Sequence, residues 1–306
     1  MLLAQREFSG KGKRKKGGKS GDQGGDKKEG KKGKSKKGKS EATDDNDKAK
    51  PSTAVVRAPP ITFLSKESLK LELASSGLRL FHVSGILDVK VDNPEKNGFI
   101  KIKIESEVPE MIEGTEDTGM KWKPSQKMEK TLFSTEKILK HNSPKLPFPS
   151  GRPLHWTLKS KEESYVPLNI KCQTTDVDAE KTKVILEYAA FTRFVLKKVV
   201  ISVPIQRGVV PDVSSLTGIW RCRFNPGNSR LEWPMDRIDK SNRTGFMEFS
   251  VPQVDRSKFF PVSVRFTAAC TYSNLKMCVV PLKGLKAPAE FVHKQELEVD
   301  EYQLVD

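Results

Sequence analysis

The chain is poor in the residues that usually carry chemistry. Of its 306 residues, four are cysteine and four are histidine. Cys172, Cys222, Cys270 and Cys278 include no CxxC pair, which removes the common zinc and dithiol-redox spacings. His82, His141, His155 and His293 lie far apart, and no HExxH, GxSxG, GxGxxG or aspartate-rich calcium loop occurs. No apolar run approaches the roughly 18–20 residues that a membrane span needs. The start, MLLAQREFSG, has a short apolar stretch but no signal-peptide core. These absences point away from an enzyme, a metal site or a cofactor. They suggest a reduced, intracellular, soluble protein, in which Asn242-Arg243-Thr244 is a chance glycosylation match. Cys270 and Cys278 are an even number of residues apart, so on one strand they would form a buried pair of thiols.

What is abundant is charge, and it is unevenly placed. Residues 1–58 hold 18 Lys/Arg against 8 Asp/Glu, while the remaining 248 residues hold 37 against 31. The basic balance therefore belongs mainly to one end. Residues 9–52 are Lys/Gly-rich with no recurring apolar residue, so they cannot bury enough surface to offset chain entropy. Residues 1–57 are expected to be a disordered tail. GKSKKGKS at 33–40 fits the phosphate-loop pattern, but no strand precedes it and no helix pattern follows. The tail has three readings: a solvated linker, contact with anionic lipid, or contact with nucleic acid. With Phe8 its single aromatic residue, it has little to stack on bases, which disfavours nucleic acid.

From Ile61 onward the pattern is alternation. Leu69, Leu71 and Leu73 share one face of a strand, and Ile100, Ile102 and Ile104 share another. NPEKNG between 78–93 and 98–108 predicts a hairpin turn, 109–130 a long polar loop, and TEKILKH (135–141) a short helix. Strand signals then recur every 8–14 residues or so to the end. Such a pattern predicts an all-β protein of sandwich type, with too many strands for one simple sandwich. Trp156, Trp220 and Trp233 are expected in the core. Trp122, in GMKWKPSQK, is the best candidate for an exposed aromatic anchor.

KTLFSTEKILKHNSPKLPFPSGRPLHWTLKSKEESYVPLNIKC (131–172) resembles the mu homology domain of coatomer delta subunits. LKKVVISVPIQRGV (196–209), GIWRCRFNPGNSRLEW (218–233), KSNRTGFMEFSV (240–251) and KFFPVSVRFTA (258–268) follow in the family's order, and the end VDEYQLVD is similar too. The resemblance covers about residues 58–306. It implies an elongated all-β domain of two β-sandwich subdomains, the second inserted into the first. By analogy these lie at 60–164 plus 270–306, and at 165–269. In LHWTLKSKEESYVPLNI (154–170) the chain would cross from one to the other.

The resemblance further implies a non-enzymatic component of the COPI vesicle coat, in retrograde Golgi-to-ER transport. Partners would be other coatomer subunits, an Arf-type GTPase and its regulators, and short acidic peptides containing tryptophan. Membrane association would be peripheral, on Golgi membrane and coated vesicles, with no cofactor and no nucleic acid. Clathrin-adaptor relatives bind tyrosine signals through a Phe-x-Asp on an early strand and a Trp-x-Arg near the C-terminus. Here the early strand reads LKLELA and the end ELEVDEYQLVD, so that pocket is not expected. Where the family carries a small N-terminal longin-type domain, this sequence reads as the lysine-rich tail, which is expected of either a fragment of a longer protein or a shortened paralogue. The residues lining a peptide groove are not identifiable at this level.

Overall fold

The computed structural model describes residues 59–111, 118–191, 194–218, 221–282 and 290–306. The basic tail, its phosphate-loop match and Trp220 lie outside the described residues. In chain order the strands are β1 (Ile61–Ala74), β2 (Gly77–Val91), β3 (Ile100–Glu105), β4 (Gly119–Pro124), β5 (Ile138–Leu139), β6 (Gly151–Lys159), β7 (Leu168–Asp176) and β8 (Lys181–Ala190). They continue with β9 (Leu196–Pro204), β10 (Asp212–Leu216), β11 (Arg223–Asn225), β12 (Arg230–Ile238), β13 (Thr244–Pro252), β14 (Val262–Ala268), β15 (Lys276–Pro281) and β16 (Phe291–Leu304). Two short helices interrupt them, α1 (Pro94–Asn97) and α2 (Lys130–Glu136).

The fold is all-β. A nine-stranded sheet runs in the order β11-β12-β9-β14-β16-β1-β2-β6-β4. A four-stranded sheet, β10-β13-β8-β7, covers one part of it, and a three-stranded sheet, β15-β3-β5, covers another. Alternation dictates what each strand buries. In β1, Ile61 and Phe63 enter the core beneath the three-stranded sheet, while Leu69, Leu71 and Leu73 enter the core beneath the four-stranded one. β1 and β2 thus serve both cores. Each fully buried large apolar side chain contributes about 2 kcal/mol of transfer free energy. Trp156 anchors the first core and Trp233 the second, as expected of them.

One inward position of β1 is polar. Glu67 is buried, and its Oε1 accepts hydrogen bonds from Trp156 Nε1 at 2.9 Å and from the Ser273 N–H at 3.1 Å. Its Oε2 accepts from the Tyr272 N–H at 2.5 Å. The carboxylate therefore ties β1 and β6 to the connection between β14 and β15. Gly85 lies opposite Trp156 on β2, and a Cβ there would sit 1.9 Å from the indole Cε2. Only glycine leaves room for the ring.

Four sequence expectations are corrected. NPEKNG does not close a hairpin, because β2 pairs with β1 and β6 while β3 pairs with β15 and β5. Asn93, in the left-handed region at φ 50°, caps α1 by accepting from the Lys96 N–H at 3.3 Å, and this turn sends the chain to another sheet. The loop at 109–130 contains β4, whose Met120 and Trp122 face inward and whose Lys121 and Lys123 face outward. The helix lies at Lys130–Glu136, not 135–141. Lys137 stops it at φ 56°, and Ile138 and Leu139 pair with β3 instead. Cys270 is half-buried beyond β14 and Cys278 is exposed on β15, so they are not a buried pair on one strand.

Candidate functional site

The histidines do not converge. His82 lies between Lys70 and Lys159 in a row across β1, β2 and β6, and burial, then those two charges, holds its pKa below the ordinary value. His155 is exposed on β6, His141 bridges to Met128, and His293 pairs with the Ser65 hydroxyl at 2.8 Å. Among the described residues no group of three or more His, Cys, Asp and Glu is placed to hold a metal ion. Burial pushes the Cys172 thiol up to about 12, so it stays protonated and unreactive near neutral pH. Trp122 is not the exposed anchor the sequence suggested. It is half-buried on edge strand β4, with its ring 6.1 Å from those of Phe133 and Trp156.

The surface with the features of a binding site is elsewhere, along β7. This strand is an edge of the four-stranded sheet and, among the described residues, pairs only with β8. The Phe191 N–H bonds the Pro167 C=O at 3.1 Å, and the Val177 N–H bonds the Lys181 C=O at 2.9 Å. These two bonds fix the parity of the ladder. Odd-numbered residues of β7 bond β8, and the N–H and C=O groups of Ile170 and Cys172 point to the free side. Leu168 C=O, also on that side, accepts a hydrogen bond from the Tyr302 hydroxyl.

A groove of about 490 Å³ runs along this free edge. Ile170, Cys172 and Val166 line one side, the β1–β2 turn with Leu78 the other, and Phe191, Phe260 and Arg256 complete it. A second depression of about 540 Å³ opens on the outer face of the same sheet, around Ala189 and Phe246. The two share Asn169, Lys171 and Phe191. Phe191 is 50% exposed and Phe246 41%. Two large aromatic side chains left in water, Phe191 just past β8 next to the free edge and Phe246 on β13 two strands in from it, mark a contact surface. Gly245 sits on Tyr188, whose ring carbon a Cβ would approach to 2.6 Å, and the Tyr188 hydroxyl bonds the Asn242 C=O at 3.1 Å. The floor of the outer depression is thereby fixed. Nothing here is arranged to move a proton or attack a bond. It can pair a backbone, seat apolar rings and meet negative charge with Lys171 and Arg256.

Residues 57–303 match the adaptor complexes medium subunit family. The chain belongs to that family. Among curated relatives it is similar to a coatomer subunit delta of Arabidopsis thaliana, 38% identical over 257 residues, covering 80% of this chain and 46% of that one. It is also similar to coatomer subunit delta-2 of Oryza sativa subsp. japonica, at 36% over 254 residues, again covering 80% and 46%. The chain thus spans about half the length of these curated relatives. Among solved structures, the yeast delta-COP-I mu-homology domain superposes with a TM-score of 0.66 at 17% identity, over 80% of this chain and 97% of that one. The same domain complexed with a Dsl1 WxWxV peptide gives 0.63 at 17% identity, over 80% and 98%. These two show that the medium-subunit chain has the mu-homology fold. No helix among its described residues is long and apolar enough to cross a membrane.

Sequence reasoning missed the β7 groove. Phe191 and Phe246 carry no mark of exposure in the sequence, and neither strand pairing nor a free edge can be read locally. The parity of β13 gave a weak signal. Met247, Phe249 and Val251 take the inward face, so Phe246 must point out.

Proposed function

We propose that this chain is a non-enzymatic coat component of coatomer-delta type, and that the β7 groove captures short acidic peptides containing tryptophan. The observation that carries the reading is the pair of adjoining depressions that share Phe191, a mixed one along the free strand edge and a mainly apolar one on the outer face. Adding a peptide strand to such an edge supplies main-chain bonds, and neighbouring pockets supply specificity. In a W-x-W segment the two indoles fall on one face about 7 Å apart, which suits two adjoining seats. Lys171 and Arg256 favour acidic neighbours. That the yeast delta-COP-I mu-homology domain, of similar fold, forms a complex with a Dsl1 WxWxV peptide supports the ligand class.

The wider role follows the family resemblance: COPI coat assembly in retrograde Golgi-to-ER transport, with other coatomer subunits, an Arf-type GTPase and its regulators as partners. The protein would then act at the cytoplasmic face of the Golgi, held there through the coat. We also keep the division into 60–164 plus 270–306 and 165–269 as a proposal. In its favour, β6 belongs to the long sheet and β7 to the four-stranded one. Against a clean division, β9 and β14 continue the sheet that β1, β2 and β16 share, and the core beneath the four-stranded sheet takes Leu69, Phe81 and Tyr302 from the first part.

The test is calorimetric titration of the full chain with an acidic di-tryptophan peptide. Saturable binding that is lost when the peptide tryptophans become alanine supports the reading. No saturable binding, or binding indifferent to those tryptophans, defeats it.

A further inference from the structure

We infer that Arg256 is the residue that reads the acidic flank of a bound peptide, and that the Asp306 side chain is a built-in competitor for it. This rests on the groove reading above and goes one step further, naming the specificity residue and its restraint. Arg256 lines the groove with Phe260, and its guanidinium lies 5.7 Å from that ring's centroid. Its Nε is 3.2 Å from Asp306 Oδ1, with the two side chains 50% and 49% exposed. The charges of both residues reach the Cys172 thiol inside the groove, one favouring and one opposing its ionisation. Arg256 itself lines the groove, and Asp306 follows Val305, which lines it too.

Asp306 presents to Arg256 the group that an acidic peptide would bring. A half-exposed pair of this kind is held weakly and is screened by salt. An incoming carboxylate can displace it and regain the same charge-assisted bond, with the peptide's main-chain and aromatic contacts added. A peptide without acid on that flank gains nothing from Arg256, because Asp306 already satisfies it. The arrangement rewards acidic peptides and restrains their affinity at once. Lys171 is the other groove cation, but it stands on the solvent face of β7 and Asp306 does not restrain it.

The test compares two peptides on the full chain, an acidic di-tryptophan peptide and its neutral counterpart with Gln and Asn at the acidic positions. For Asp306→Asn the acidic peptide should bind about three- to fivefold tighter, the scale of one exposed ion pair, while the neutral peptide is unchanged. For Arg256→Gln the preference for the acidic peptide should shrink to what Lys171 alone supplies, and adding Asp306→Asn should restore nothing. Lys171→Gln should leave the Asp306→Asn effect intact. Equal tightening of both peptides, no change on Asp306→Asn, or acid preference undiminished in Arg256→Gln would overturn the inference while the groove reading stands. If wild type binds neither peptide, both fall together. Should Arg256→Gln fail to fold by circular dichroism, the Asp306→Asn arm decides alone.

Discussion

Replacing Glu67 by Gln tests whether the two cores are tied by a carboxylate acceptor. Four donors converge on this side chain: Trp156 Nε1, the backbone N–H groups of Tyr272 and Ser273, and the Ser273 hydroxyl. A carboxylate is all acceptor, whereas a glutamine amide must turn an NH2 toward at least one of those donors. One charge-assisted bond is then lost and one buried N–H is left without a partner, together worth about 2–4 kcal/mol. Burial works the other way. It pushes the Glu67 carboxyl above its ordinary value of 4.5 despite the four donors, so removing the charge recovers part of the loss. The expected net cost near pH 7 is at the lower end, about 2 kcal/mol. The sign of the pH effect follows. Because the folded value lies above the unfolded one, Glu67's contribution is fully present below about pH 4.5 and declines as pH rises through the folded value. The variant lacks that slope, so the gap between the two proteins narrows as pH increases. Urea unfolding followed by tryptophan fluorescence, with Trp156 beside the substitution, measures both effects. A variant as stable as wild type at every pH would refute the acceptor argument.

Gly85→Ala should destabilise by about 3 kcal/mol, because its Cβ would lie 1.9 Å from a fully buried indole; thermal unfolding checks it. Phe191→Ser should weaken the di-tryptophan peptide about tenfold, equivalent to about 1.4 kcal/mol, and leave the melting temperature nearly unchanged, since this half-exposed ring is outside the buried cores. His82 and His293 both have pKa values lowered from 6.5, chiefly by burial. Their contribution is therefore present above about pH 6.5 and lost as pH falls from there through the folded values. Replacing both by Gln should flatten that loss, as measured by urea midpoints between pH 7 and pH 5.

Much of the fold was legible because alternation is a local signal. Leu69, Leu71 and Leu73 face inward as their spacing requires, and the crossing after Lys159 does carry the chain from one sheet to another. What alternation cannot supply is partnership. The parallel pairing of β1 with β16 joins residues more than two hundred positions apart, and the pairings of β2 with β6 and of β3 with β15 make NPEKNG a crossing and not a hairpin. In ITFLSKESLKLELA, Glu67 occupies an inward position by parity, but only the approach of Tyr272, Ser273 and Trp156 makes that position tolerable. The groove was the least legible feature. It is defined by what β7 lacks on one side, and a missing neighbour leaves no trace in the sequence of the strand itself.

That missing neighbour also limits what the groove can take. Along the free side of β7 the groups alternate, so an added strand could bond at Leu168, Ile170, Cys172 and Thr174. Tyr302, from β16, already holds the Leu168 C=O, and its phenol is fully buried with its pKa pushed up by that burial. This contact belongs to the core that fixes the four-stranded sheet on the long sheet, so an incoming peptide does not compete for it without opening that core. Strand addition therefore ends before Leu168, and the Phe191 ring stands beside that end. Main-chain pairing is confined to a few residues around Ile170 and Cys172. So short a ladder binds weakly by backbone alone, and affinity must come from large side chains seated on either side of Phe191. The geometry of one edge strand thus argues for short ligands with aromatic anchors.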